Sequence, residues 1–391
     1  LPKRIDIDPG DLADALSTGA TYDEIAETYG CSASTIAKRV KEYGLEAEAS
    51  DSEGSKMSED KKAALGVGLD IGTMNIVAAR KVDSSVETKR IRDAFLDLEA
   101  EAKKMLNMSG VSYIEYEDKI LILGDPAIET ANLFKREARR PLSQGLISAS
   151  EIDALEVLSI LIENVVGEPQ EDNEVCYYSI PAAPLDMPGQ DVLYHEAVFA
   201  KILEELGYDA ISGNEAMAIV YSECAADQFS GIGISFGSGM VNCALSYMTM
   251  PIMEFSLARG GDWIDRNAAN AVGSTASRLC SIKEKGLDLT QPNSREEEAL
   301  VVYYKSLIKY ALDNISKKFK ETQNDTELQK SIPIVVSGGT SLAGGFLDLF
   351  KEVFEKQRNR FPIEISEIRQ AEDPMTSVAQ GLLVQAMQEY I

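Results

Sequence analysis

Near position 70 the residue types and their spacing suit a phosphate and its metal. In Gly66–Arg80, GVGLDIGTMNIVAAR, an apolar strand ends in Asp70, a tight Ile71-Gly72 turn follows, and Thr73, Met74 and Asn75 lead into a second strand. Such a turn aims backbone N–H groups and a hydroxyl at one point, where phosphate oxygens fit, while a carboxylate at the strand end can hold a hydrated Mg²⁺. Taken alone, the same glycine could also serve an ordinary hairpin. A second segment argues against that reading. Gly231–Leu245, GIGISFGSGMVNCAL, repeats the strand, glycine turn and strand about 165 residues later, as two related halves would if each supplied a phosphate clamp. In a third, Ile334–Leu349, a buried strand delivers Ser337-Gly338-Gly339-Thr340 to a helix start, where small residues let a flat nucleoside approach the backbone.

The elements around these turns alternate between strand and helix, the pattern of an α/β fold. Strands are expected at 67–70, 76–81, 119–123, 175–180, 233–236, 241–248 and 333–336, and an amphipathic helix at 151–165. At 391 residues, with 45% hydrophobic and 26% charged side chains, the chain can build two or three domains with real cores. Its 64 acidic against 38 basic residues leave a net charge of −26, which repels nucleic acid and anionic lipid at long range, so any such contact must be local. The five cysteines, Cys31, Cys176, Cys224, Cys243 and Cys280, never form a C-x-x-C pair and read as buried thiols in a reducing compartment. No apolar run approaches a membrane span and no signal-peptide pattern opens the chain, so a cytoplasmic protein is expected. The sequence starts on Leu1, with Met57 an internal candidate start.

Residues 45–63, rich in Ser, Glu and Asp and without apolar periodicity, read as a solvated linker behind a small module at 1–44. In that module Tyr22–Tyr29 is a helix pattern with Ile25 and Ala26 inward. Gly30 ends it, and a second helix pattern over Thr35–Tyr43 turns Ile36 and Val40 inward, which together make an all-α helix-turn-helix. Ser32, Ser34, Thr35, Lys38, Arg39 and Lys41 could meet DNA, making residues 20–43 a candidate DNA contact. Fourteen acidic against six basic residues in the first sixty weaken that case, and a helical hairpin for protein contacts is the alternative.

From Leu65 to the C-terminus the chain resembles the actin-like ATPase superfamily, most of all its MreB-type bacterial and archaeal members. Besides the three glycine segments, the likeness includes RRPLSQGLI (139–147), GNEAMAIVY (213–221), ARGGDWIDRNAAN (258–270) and EDPMTSVAQG (372–381). It implies a two-lobed, ribonuclease H-like ATPase fold with Mg-ATP between the lobes. Lobe I would take residues 64–212 together with the C-terminal helix 374–391, and lobe II residues 213–373. By the same likeness Asp70 would orient Mg²⁺ through water, and Gly72, Thr73, Met74 and Asn75 would wrap the terminal phosphates. Gly237, Ser238 and Gly239 would oppose them, Gly338, Gly339 and Thr340 would meet the adenosine, and Gly260-Gly261-Asp262 would pass near the phosphates. Three departures stand out. Ser235 occupies a position where the family usually has aspartate. Ala200 falls where a water-orienting Glu or Gln is usual, leaving Glu196, one turn earlier, as a candidate catalytic residue whose plainer reading is a solvated helix carboxylate. Ser277 stands for an acidic purine contact.

The resemblance implies a slow ATPase that assembles with copies of itself into filaments for cell shape or for positioning DNA or organelles. A nucleotide-gated adaptor that binds DNA or protein without polymerising is the alternative, and a sugar or acetate kinase fits less well because no further Asp base is apparent. His195 is expected on a helix surface, Trp263 in core or interface packing, and Lys103-Lys104 and Lys317-Lys318 on solvated helix faces.

Overall fold

A computed structural model describes residues 9–17, 20–29, 36, 39, 40 and 65–391, apart from 135, 149, 152, 188–191, 323–330 and 362. The chain divides into two compact units, Leu1–Ser58 and Glu59–Ile391. In the first, helices Pro9–Ser17 and Tyr22–Tyr29 are present, and Leu12, Ile25, Ala26, Ile36 and Val40 share one buried apolar cluster. The inward positions read from periodicity are therefore buried, and Leu12 joins them from a helix that the sequence reading did not place. The turn after Tyr29, most of the second helix pattern and the linker 45–63 lie outside the described residues, and with them Ser32, Ser34, Thr35, Lys38 and Lys41.

Two five-stranded sheets with one topology organise the second unit. The first uses β1 (Val67–Ile71), β2 (Asn75–Val82), β3 (Ser85–Arg92), β9 (Val175–Ile180) and β10 (Asp209–Asn214), in the order β10-β9-β1-β2-β3. Between β3 and β9, strands β4 (Phe95–Glu99), β5 (Ile114–Tyr116) and β6 (Lys119–Leu123) form a small sheet, and β7 (Leu142–Ser143) and β8 (Leu146–Ile147) a short hairpin. In the other large sheet, β11 (Gly231–Phe236), β12 (Val241–Tyr247), β13 (Met250–Leu257), β14 (Ile332–Ser337) and β15 (Ile365–Gln370) run in the order β13-β12-β11-β14-β15. Each sheet has an antiparallel hairpin whose first strand is also paired in parallel, β1 with β9 and β11 with β14. The duplication seen in the glycine segments thus extends to whole sheets, giving the two lobes.

Helices cover these strands on both sides, which is why β1, β11 and β14 read as nearly unbroken apolar runs. Two helices approach the strands closely enough to require glycine. A Cβ on Gly68 of β1 would lie 2.0 Å from the Ala379 carbonyl oxygen of helix Ser377–Gln388, and one on Gly233 of β11 would lie 2.3 Å from the Ala216 oxygen of helix Glu215–Glu223. The helices also touch one another, since a Cβ on Gly381 would stand 1.8 Å from the Ala218 oxygen. Helix Ser377–Gln388 packs on β1, β2 and β9, so the end of the chain returns to the first sheet.

Packing overturns two expectations. His195 is 2% exposed rather than on a helix surface: its Nδ1 accepts the Ile147 N–H at 3.2 Å and its ring meets Phe199 edge-on at 4.4 Å. Burial pushes its pKa down to about 4, so the ring is neutral at pH 7. Cys176, Cys224 and Cys243 are buried as read, but Cys280 is only partly buried and faces the cleft between the sheets. Trp263 packs against the core of the second lobe and Tyr303. Among the described residues no helix is long and apolar enough to cross a membrane.

Candidate functional site

A cleft of about 660 Å³ opens between the two sheets, and the three glycine segments line it. Gly72, Thr73, Met74 and Asn75 come from the β1–β2 turn, and Gly237, Ser238 and Gly239 from the equivalent β11–β12 turn. Gly338, Gly339 and Thr340 follow β14. At Gly338 φ is +88° and a Cβ would stand 2.5 Å from the Phe236 oxygen, so this turn demands glycine twice over. Each clamp is braced by a neighbouring turn: Thr73 Oγ1 accepts the Gly145 N–H of the β7–β8 turn at 2.9 Å, and the Thr340 hydroxyl after β14 donates to the Gly237 oxygen at 3.0 Å. Ser238 Oγ is buried in its clamp without a partner among the described residues, a hydroxyl left over for a ligand.

Gly260 and Gly261, read as passing near the phosphates, are behind the second clamp rather than in the cleft lining. The Gly261 N–H donates to the Gly237 oxygen at 2.9 Å and the Asp262 N–H to the Ser238 oxygen at 2.8 Å, so the start of helix Gly261–Val272 buttresses the turn. Asp262 in turn pairs with Arg140 at 3.1 Å, which ties the 139–147 segment of the first lobe to the second lobe.

The floor of the cleft holds two carboxylates. Asp70 Oδ1 accepts from Ser179 Oγ at 3.0 Å, and that oxygen itself accepts the Ile71 N–H at 2.8 Å. Opposite stands Glu215, which sequence reasoning missed as a site residue. Asn214 caps the first turn of its helix, its Oδ1 accepting from the N–H groups of Ala216 and Met217. Glu215 accepts from Ser235 Oγ at 2.6 Å and from Asn242 Nδ2 at 2.7 Å. Ser235 therefore does not leave the second turn without a carboxylate: its hydroxyl holds one in place. The available signal was a lone acid opening an otherwise apolar helix in GNEAMAIVY. Burial foremost, and then the charge of Glu215, push Asp70 up to about 8, against the Ser179 hydrogen bond. Glu215 is raised as well, again by burial.

Desolvated carboxylates that repel one another are relieved by a shared cation. Asp70 and Glu215 offer oxygen donors only, the ligand type that suits a hard cation.

Glu196 is not brought to the cleft. Its carboxylate accepts from Ser212 Oγ at 2.5 Å and its backbone oxygen from Tyr178 OH, so it is neither at the candidate reaction centre nor simply solvated. Ser277 is also absent from the lining. From its helix, Ala276–Glu284, the residues that do face the cleft are Cys280, Lys283 and Glu284. Glu284 pairs across the cleft with Arg92 of β3. The Cys280 thiol is pushed up to about 12 by burial and so stays protonated rather than nucleophilic.

Several solved structures share this fold. MamK in a double helical filament superposes with a TM-score of 0.61 at 19% identity, covering 82% of this chain and 98% of that one. MreB5 of Spiroplasma citri bound to ADP gives a TM-score of 0.56 at 14% identity, covering 84% and 98%, and the AMPPNP-bound form gives 0.56 at 14%, covering 81% and 94%. At such identities the likeness is one of fold, and the fold is the two-lobed actin-like one. No curated protein matches the chain by sequence. The profile of one family, however, matches residues 65–386, from the strand before the first clamp to the closing helix, and the chain belongs to that family, Volactin.

Proposed function

We propose that this protein binds Mg-ATP between its lobes, hydrolyses it slowly and assembles with its own copies into filaments, as an actin-like cytoskeletal protein. One observation carries the reading: two topologically equivalent turns face each other across one cleft, with the Asp70 and Glu215 carboxylates on its floor. In this reading Gly72–Asn75 and Gly237–Gly239 grip the phosphate chain, Gly338–Thr340 take the adenosine, and Asp70 and Glu215 hold a hydrated Mg²⁺ through its waters. The metal supplies charge neutralisation along the phosphates. The chain supplies position: backbone N–H groups of both turns and the Ser238 hydroxyl donate to the phosphates, and carboxylates held by Ser179, Ser235 and Asn242 keep the coordinating waters in place. Glu215 supplies the second carboxylate that Ser235 does not. The lobe boundaries proposed are 64–212 with 374–391, and 213–373.

Assembly is supported by the fold it shares with MamK, solved as a double helical filament, and nucleotide binding by MreB5, solved with ADP and with AMPPNP. Calorimetry with Mg-ATP, Mg-ADP and either partner alone tests binding, and pelleting with electron microscopy across a salt series tests assembly. Filaments with Mg-ATP are expected. Absence of both heat and polymer would refute the proposal. Contact with DNA through residues 20–43 is a separate proposal, and removing residues 1–56 tests it: DNA retention is lost while assembly persists.

A further inference from the structure

Lys283 stands where three parts of the cleft meet. Its Nζ donates to Asp265 Oδ2 at 2.8 Å and to the Gly261 oxygen at 3.1 Å, with the side chain 13% exposed. A Cβ on Gly261 would lie 3.2 Å from that Nζ and 2.7 Å from Thr340 Oγ1, so the ammonium, the buttressing helix start and the adenosine segment are neighbours. An ammonium has three N–H donors, and the described residues use two of Lys283's. The third belongs to the cleft, which Lys283 lines.

Asp265 sits one layer behind, outside the lining and 2% exposed. Its Oδ1 is buried without a partner among the described residues, so this carboxylate is committed to Lys283 alone. Burying such a pair adds little net stability, because desolvation of both charges offsets their attraction. Orientation is what it supplies, fixing a flexible four-carbon stem that would otherwise lie free.

We infer that Asp265 is a positioning residue, holding Lys283 so that its remaining N–H meets the phosphate nearest the sugar of a bound nucleotide. That phosphate is the one at the junction Lys283 occupies, since Gly237 of the second clamp accepts both the Thr340 hydroxyl and the Gly261 N–H. The inference rests on the nucleotide reading of the cleft and adds to it a cation, its target and the group that aims it.

The test is a cycle of Asp265→Asn, Lys283→Met and the double variant in the full chain, with affinities for Mg-ADP and adenosine measured by calorimetry and folding followed by melting. Asp265→Asn should weaken Mg-ADP roughly tenfold and adenosine less than about twofold, the loss of one charge-assisted hydrogen bond. Lys283→Met should cost at least as much, and the double variant no more than Lys283→Met. Unchanged Mg-ADP binding by Asp265→Asn, a parallel loss of adenosine, or additive effects in the double variant would overturn the inference and leave the nucleotide reading standing. A wild-type chain that binds neither ligand would overturn both. If Asp265→Asn does not fold, Asp265→Ser takes its place in the cycle under the same criteria, and a Lys283→Met protein with no loss of Mg-ADP refutes the inference by itself.

Discussion

Replacing Glu215 by glutamine should make the ligand-free protein more stable and a poorer holder of its nucleotide. The cause lies in Asp70, whose pKa rises from 3.8 to about 8 on folding, through burial first and the Glu215 charge second. Between those values the folded chain keeps a proton that the unfolded chain has released. Stability is therefore highest below the unfolded value and declines as pH rises toward the folded one, by at most about 1.4 kcal/mol per pH unit for a single group. In a unit of this size that is roughly 2–3 °C of melting midpoint between pH 6.5 and 7.5. The window matters. His195, held neutral with its pKa lowered to about 4, acts oppositely, losing stability as pH falls below 6.5, so the range above 6.5 isolates the carboxylates. Asp70→Asn has no proton to bind, and the wild-type melting curve minus its own should show the slope. Glu215→Gln removes the repulsion but not the burial. Its slope should move to lower pH without vanishing, and its midpoint at pH 7.5 should exceed wild type. Saturating Mg-ATP should flatten the wild-type slope, because a cation replaces the proton, while Glu215→Gln should bind Mg-ATP at least roughly tenfold more weakly, on the scale of losing one ligand to a charged group. Differential scanning calorimetry from pH 6.5 to 8, with and without Mg-ATP, reads all of this. A Glu215→Gln protein that melts below wild type throughout, with the slope unaltered, would refute the idea that the two carboxylates share one unscreened site.

Other consequences can be checked with the same material. Glu174 is 1% exposed and accepts from both the Arg80 guanidinium and the N–H groups of Gly66 and Gln170, so Arg80→Ala should strand a buried charge and cost about 3–5 kcal/mol by denaturant melts; Glu174→Gln added to it should recover part of the loss. Gly381→Ala should force apart the two helices that cross at Ala218, lowering stability by about 1–3 kcal/mol or more. Gly338→Ala should combine positive-φ strain with a clash on Phe236, abolishing nucleotide heat while circular dichroism stays near wild type.

Elements whose cause is local were legible. The β1 and β11 hairpins could be read because an apolar run, a glycine and a return strand are adjacent in sequence, and their identical spacing announced two equivalent clamps. β3 was not legible: Ser85–Val86–Glu87–Thr88–Lys89–Arg90 is exposed on both faces, and only pairing with β2 makes it a strand. Gly260 and Gly261 looked like ligand contacts because glycine near a phosphate site has two uses, lining and buttressing, and their sequence context does not separate them.

By itself the sequence determined the fold class, the duplicated turns and Asp70 at a strand end, since each follows from the size and polarity of neighbouring residues. Tertiary structure decided which distant charges share a space. Asp70 and Glu215 are far apart along the chain and face each other only because two sheets close on one cleft. His195 is buried only because its helix turns the face that it shares with Phe199 toward Ile147. Lys283 and Asp265 meet at 2.8 Å only because two consecutive helices pack together. Desolvation and Coulomb energy depend on distance through space, a quantity that linear spacing does not contain.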